Sequence, residues 1–168
     1  MMSLLSDRAV EIVEADLERP EHQEAVLDLV NAYSMDPMGS GKPLSVEVQN
    51  TLIAGLREHP TTIIFLAYDD VEAVGIAVCF RGFSTFNARP LINIHDLAVL
   101  PAHRGRGVGR RLLEEVERKA REIGCCAITL EVGSDNRVAK DLYEAVGFSQ
   151  TMCADVAGSA LFLAKRLK

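Results

Sequence analysis

The run Arg104-Gly105-Arg106-Gly107-Val108-Gly109-Arg110-Arg111 constrains this chain more than any other segment. It follows an apolar, strand-like stretch, Leu91–Leu100, and leads into the strongest amphipathic pattern in the sequence: Val108, Leu112, Leu113, Val116, Ala120 and Ile123. The first backbone N–H groups of such a helix lack intrahelical acceptors, and the helix dipole adds to their attraction for an anion. Glycine lets that anion approach with no Cβ in the way. Four arginines with no acid among them supply charge suited to a polyphosphate. Spacing excludes two familiar phosphate loops. No Gly-x-x-x-x-Gly-Lys-Ser/Thr occurs, and a Gly-x-Gly-x-x-Gly begun at Gly105 would need glycine where Arg110 stands.

The rest of the chain organises around this turn without repeats or low-complexity segments. Arg8–Glu14 reads as a short first strand. Ala25, Val26, Leu29, Val30 and Tyr33 mark a helix over about 21–34, ended by the Pro/Gly loop Asp36–Pro43. Ser45 is placed to cap a second helix with Val48, Leu52 and Leu56 on one face. Thr62–Tyr68 and Ala73–Phe80 form a strand pair joined by Asp69-Asp70. The glycine-turn helix ends at Gly124, with outer pairs Glu114–Arg118, Glu115–Lys119 and Glu117–Arg121 spaced to support it. Ala127–Val132 is then a strand, 136–146 a helix and the remainder two terminal strands. This order predicts an α+β fold around a mixed sheet.

Composition narrows the function classes. The chain has 168 residues, 48% of them apolar and 25% charged, which fits one globular domain spanning 1–168. Its net charge is −6, yet residues 1–72 carry 14 acids and 4 bases while 73–168 carry 10 acids and 14 bases. Such asymmetry predicts two sites of opposite sign. An acidic pI of about 5.2 and few aromatics argue against a nucleic-acid partner. No run reaches the roughly 18 to 20 apolar residues of a membrane span, and the N-terminal stretch lacks a signal-peptide pattern. Four cysteines without Cys-x-x-Cys spacing and four scattered histidines predict a cytoplasmic protein with no metal site.

Arg104-x-x-Gly107-x-Gly109 after Leu97-Ala98-Val99 resembles the pyrophosphate-binding motif of the GNAT superfamily of acyl-CoA-dependent N-acyltransferases. The segment Asn136–Phe148, with Leu142-Tyr143-Glu144 and Gly147-Phe148, resembles that family's last helix and following strand. His95-Asp96-Leu97 is similar to the diamine and thialysine N-acetyltransferase branch, which has Glu-Asp there, so His95 departs from it. The resemblance implies a mixed, mostly antiparallel sheet of six to seven strands with about four helices. It also implies acetyl-CoA as co-substrate. Leu97, Ala98 and Val99 would meet the pantetheine arm, and Arg104, Gly105, Arg106, Gly107, Val108, Gly109 and Arg110 the pyrophosphate. Strands parting after Ala98 and Ala127 would open a slot for the thioester. Asn136 would bond the pantetheine arm or steady the last helix, and Tyr143 would protonate the leaving thiolate.

Asn136 and Tyr143 are seven residues apart, about two helical turns, which sets them on one face. Acyl transfer to nitrogen needs a neutral amine, and an alkylammonium near pKa 10.4 must lose its proton first. An imidazole suits that task, so His95 leads, with Asp96 beside it and Glu131 as a backup. Neighbouring strand residues face opposite ways unless a bulge intervenes, so one of His95 and Asp96 is expected to face the substrate. A cysteine nucleophile is the minor alternative. Asp36, in the Pro/Gly loop, is the expected carboxylate for a cationic acceptor such as a polyamine or amino acid. Protein and peptide amines, or a non-catalytic acyl-CoA-binding regulatory module, are the alternatives. Cys79–Phe86 brings three aromatics to an acceptor pocket, a homodimer contact or the core.

Overall fold

A computed structural model describes residues 10–150 and 160–168. Their elements are β1 (Glu11–Glu14), α1 (Pro20–Met35), α2 (Val46–Glu58), β2 (Thr62–Asp69), β3 (Glu72–Ser84), β4 (Arg89–Val99), α3 (Val108–Glu122), β5 (Ala127–Gly133), α4 (Arg137–Ala145), β6 (Ser149–Gln150) and β7 (Ala160–Arg166). A 3₁₀ turn, Pro101–His103, links β4 to the glycine turn. One seven-stranded sheet runs β1-β2-β3-β4-β5-β7-β6. Every neighbouring pair is antiparallel except β4–β5. The parallel pair arises where α3 crosses over from the end of β4 to the start of β5, the connection a parallel pair requires.

Both faces of the sheet are covered, which is why β2 and β3 read as continuous apolar runs. On one face Phe65, Ala77, Cys79, Ile92 and Ile94 pack with Leu112, Leu113 and Val116 of α3 and Tyr143 of α4. On the other, Ile64, Leu66, Ile76 and Val78 pack with Ala25, Val26 and Leu29 of α1. The α3 stripe is the one the periodicity predicts, with Leu112, Val116 and Ala120 fully buried. Burying the Leu and Val side chains contributes roughly 1.5–3 kcal/mol each.

Four local readings change. Ser45 caps α2 by accepting from the Val48 N–H, but Val48 is exposed and the helix packs through Ile53 and Leu56. Its apolar residues form two overlapping stripes, and docking beside α1 selects the second. Of the pairs expected on α3, Glu117–Arg121 forms. Arg118 instead bonds Glu115 and Glu122, and Lys119 reaches Glu14 on β1. β3 and β4 extend further than expected as a hairpin, pairing as far as Ser84 with Arg89. Phe80 packs between His59 and His95, whereas Phe83 and Phe86 on that hairpin are exposed. Arg8 and Ala9 of the expected first strand lie outside the described residues, as does Cys153. No helix among the described residues is long and apolar enough to cross a membrane.

Candidate active site

The site is built where β4 and β5 separate. Their parallel register holds only Ile92 with Ile128, Asn93 with Thr129 and Ile94 with Leu130. The expected parting after Ala98 and Ala127 is therefore corrected to Ile94 and Leu130. A β-bulge causes it. Val78 of β3 pairs with Asp96 and Cys79 with Ile94, leaving His95 as the extra residue. A bulge bends its strand and increases local twist, which carries Leu97, Ala98 and Val99 away from β5.

The same bulge settles how His95 and Asp96 face. Asp96 lies opposite Val78, a core residue of the α1 side, and His95 stacks edge-on against Phe80 with ring centroids 5.6 Å apart. Both residues thus stand on the α1 side, where an unbulged strand would have divided them. His95 is exposed. Asp96 is half-buried, and that burial raises its carboxyl above the usual carboxylate range against the lowering pull of His95.

Two clefts meet at this opening. The larger, about 670 Å³, is lined by Leu97, Ala98 and Val99, by Arg104–Arg110 except Arg106, and by the α4 residues Leu142 and Tyr143. The smaller, about 230 Å³, is lined by His95, Glu131, Asp135 and Val132. Tyr33, Met38, Leu97, Asp135, Asn136, Ala139 and Tyr143 line both.

The glycine turn presents its backbone to the larger cleft. Gly107 is the N-cap of α3 in the left-handed region at φ 81°, and no side chain caps the helix. Gly105 also lies in that region, and a Cβ added at either glycine would meet nothing within 4 Å. Open space beside uncapped helical N–H groups is the arrangement an anion needs.

Tyr143 is 7% exposed, packed against Phe148 with ring centroids 5.8 Å apart. Burial, with a smaller contribution from Tyr33, pushes its hydroxyl up to about 12, so it keeps its proton at neutral pH and faces the junction as a donor. Asn136 proves to be the N-cap of α4, accepting from the Ala139 N–H at 3.2 Å. It stands just outside the first turn, and with Tyr143 it lines both clefts, as the seven-residue spacing predicts.

The sequence model of the acetyltransferase (GNAT) family matches residues 24–148, which include the glycine turn, the bulged strand and α4. The chain belongs to this family. Among similar proteins are the uncharacterized N-acetyltransferase YhfO of Bacillus subtilis, 30% identical over 55% of this chain and 62% of its own length, and thialysine N-epsilon-acetyltransferase of Bos taurus, 35% identical over 44% and 43%. A crystal structure of the NatC complex bound to Gag peptide and CoA contains a chain with TM-score 0.70 and 25% identity, covering 94% of this chain and 99% of that one. The chain thus spans less than two thirds of the length of these curated relatives. The GNAT fold, with seven strands and four helices among the described residues, accounts for the whole arrangement.

The GNAT site also places residues where the sequence did not indicate. Asp36 lines the larger cleft and not the one that holds His95. Its carboxylate bonds Arg104 at 2.6 Å and the Met38 N–H at 2.9 Å, in the larger cleft. Tyr33 reads in the sequence as one more apolar position of α1, yet it stands at the junction of both clefts. Its place next to the Pro/Gly loop was the available signal. Asp135 adds a carboxylate where the two clefts meet. Cys79 and Cys125 are buried, and burial raises both thiols, which argues against a thiolate nucleophile at either. Among the described residues no cluster of His, Cys, Asp and Glu has the make-up of a metal site.

Proposed function

We propose that this protein transfers the acetyl group of acetyl-CoA directly to a primary amine of a small cationic acceptor, such as a polyamine or an amino acid. The observation that carries this reading is the meeting, at Tyr143 where β4 and β5 part, of a cleft lined by the glycine turn with one lined by His95 and Glu131. Acetyl-CoA supplies the thioester carbon that the amine attacks. The uncapped N–H groups of Gly105–Arg110 fit its pyrophosphate, and the unpaired edge of Leu97–Val99 fits its pantetheine amides. Glu131 and Asp135 attract a protonated amine into the smaller cleft, which also holds His95.

His95 lines that cleft and Asp96 does not, which favours His95 as the group that takes the ammonium proton. Tyr143 holds its proton at the junction and donates a hydrogen bond to sulfur as charge develops there. Outright transfer from a hydroxyl near 12 to a thiolate near 8.5 is uphill by roughly 5 kcal/mol, so the hydrogen bond is its main contribution.

Thiol release from acetyl-CoA, measured across polyamines, amino acids, aminoglycosides and peptides, tests the reading. Release with small cationic amines is expected. Release with peptides alone would make this a protein acetyltransferase, and tight CoA binding with no release from any acceptor would make it a regulatory module.

A further inference from the structure

One ion pair ties the α1–α2 loop to the glycine turn across 68 residues of chain. Arg104 Nη2 donates to Asp36 Oδ2 at 2.6 Å, and its Nε donates to the Val99 carbonyl at 2.8 Å. The Asp36 side chain is only 12% exposed. Its other oxygen accepts the Met38 N–H. The loop it begins is folded tightly back on α1. Ser40 N–H donates to the Ser34 carbonyl, and a Cβ added at Gly39 would come within 2.2 Å of the Tyr33 carbonyl oxygen. Tyr33 and Met38, on either side of Asp36, form part of the wall common to both clefts.

This geometry places a carboxylate beside a turn built to receive an anion. Unpaired, that charge would repel the anion; paired, it is neutral and its position is fixed. Two of Arg104's donor nitrogens are already committed, one to the end of β4 and one to the α1–α2 loop. We infer that Arg104 is a positioning residue and not a phosphate ligand: with Asp36 it forms a strut that neutralises the mouth of the anion site and fixes the wall shared with the acceptor. The inference rests on the larger cleft being the CoA site, and it separates Arg104 from the backbone N–H groups of the turn.

Calorimetry with CoA itself, on Arg104→Gln, Asp36→Asn and the double variant, decides between strut and ligand. If Arg104 is a strut, Arg104→Gln weakens CoA by about tenfold or more, because Asp36 is left unpaired. Asp36→Asn stays within about threefold of the parent, and the double variant recovers to the level of Asp36→Asn. A double variant as weak as Arg104→Gln, or an Asp36→Asn that binds CoA more tightly than the parent, would make Arg104 a phosphate ligand and overturn the inference. Amide hydrogen exchange of residues 36–43 without CoA gives an independent reading. Each single variant should speed exchange there, and the double no further; unchanged exchange in both singles sinks the strut. Failure of the parent to bind CoA would count against the cleft assignment alone, leaving the exchange result to judge the ion pair.

Discussion

Ile94 of β4 and Leu130 of β5 are the last pair these strands hold in register, and the gap beyond them is where both clefts and Tyr143 converge. A parallel pair that ends in mid-strand leaves backbone groups on one edge without a ladder partner, a costly state unless something else satisfies them. An extended ligand arm can do so by adding to the edge as a partial strand. On the proposed reading, acyl transfer at this point brings the reacting sulfur to Tyr143, which lines both clefts. Tyr143→Phe keeps the packing against Phe148 and removes only the donor. We expect turnover to fall by roughly 10²-fold while CoA affinity changes by less than about twofold. Steady-state kinetics paired with CoA titration will check this; an unchanged turnover number removes Tyr143 from the chemistry.

The glycine turn offers a second test with its own control. Gly107 is held at φ 81°, a conformation costing an L-residue about 1–2 kcal/mol. Gly107→Ala meets no atom within 4 Å, so its effect is backbone strain alone. Loss of about 1 kcal/mol of stability is expected, along with weaker CoA binding as the turn relaxes. Gly55, exposed within α2, has ordinary helical geometry and equally open surroundings. Gly55→Ala should therefore stabilise by about 0.5–1 kcal/mol. Chemical denaturation of both variants measures the contrast, and equal effects would show that the turn is not strained.

Much of this was legible in the sequence because the signals were local. The α3 stripe, the cap at Ser45 and the glycine turn each follow from residues within one or two turns of one another. The bulge at His95 was not, since it exists only in the register between β3 and β4. The placement of Asp36 was missed for a related reason. An excess of acids in residues 1–72 reads as a site for a cation, but folding brings Glu14 to Lys119, Asp36 to Arg104 and Asp69 to Arg106. Much of the charge split is thus settled between the two halves of the chain, and the carboxylates of the smaller cleft, Glu131 and Asp135, both come from the second half.

If His95 takes the ammonium proton, its loss should change the pH dependence more than the cofactor affinity. His95→Ala is expected to abolish the parent's acidic limb in the profile of kcat/KM, because that limb reports the essential base of the free enzyme. Glu131→Gln should instead raise KM for a cationic acceptor and leave the limb in place, since an attracting carboxylate acts on binding. A His95→Ala profile that retains the parent's limb assigns the proton to another group.

Asp96 makes a prediction about stability and not turnover. Burial raises its carboxyl in the folded protein above the ordinary value, so the unfolded chain ionises first as pH rises. Below about pH 3.9 both states are protonated and the group is neutral in the balance. Above it, ionisation favours the unfolded chain until the folded carboxyl also titrates, and the penalty is then constant through neutral pH. Asp96→Asn removes the charge while keeping the shape. Its melting temperature should exceed the parent's at pH 7, and the two should converge as pH falls towards 4. Thermal melts between pH 3.5 and 7.5 will show the gap opening with pH. A variant less stable than the parent at pH 7 would mean that the ionised carboxylate is held by favourable contacts, and that its burial is not the dominant influence.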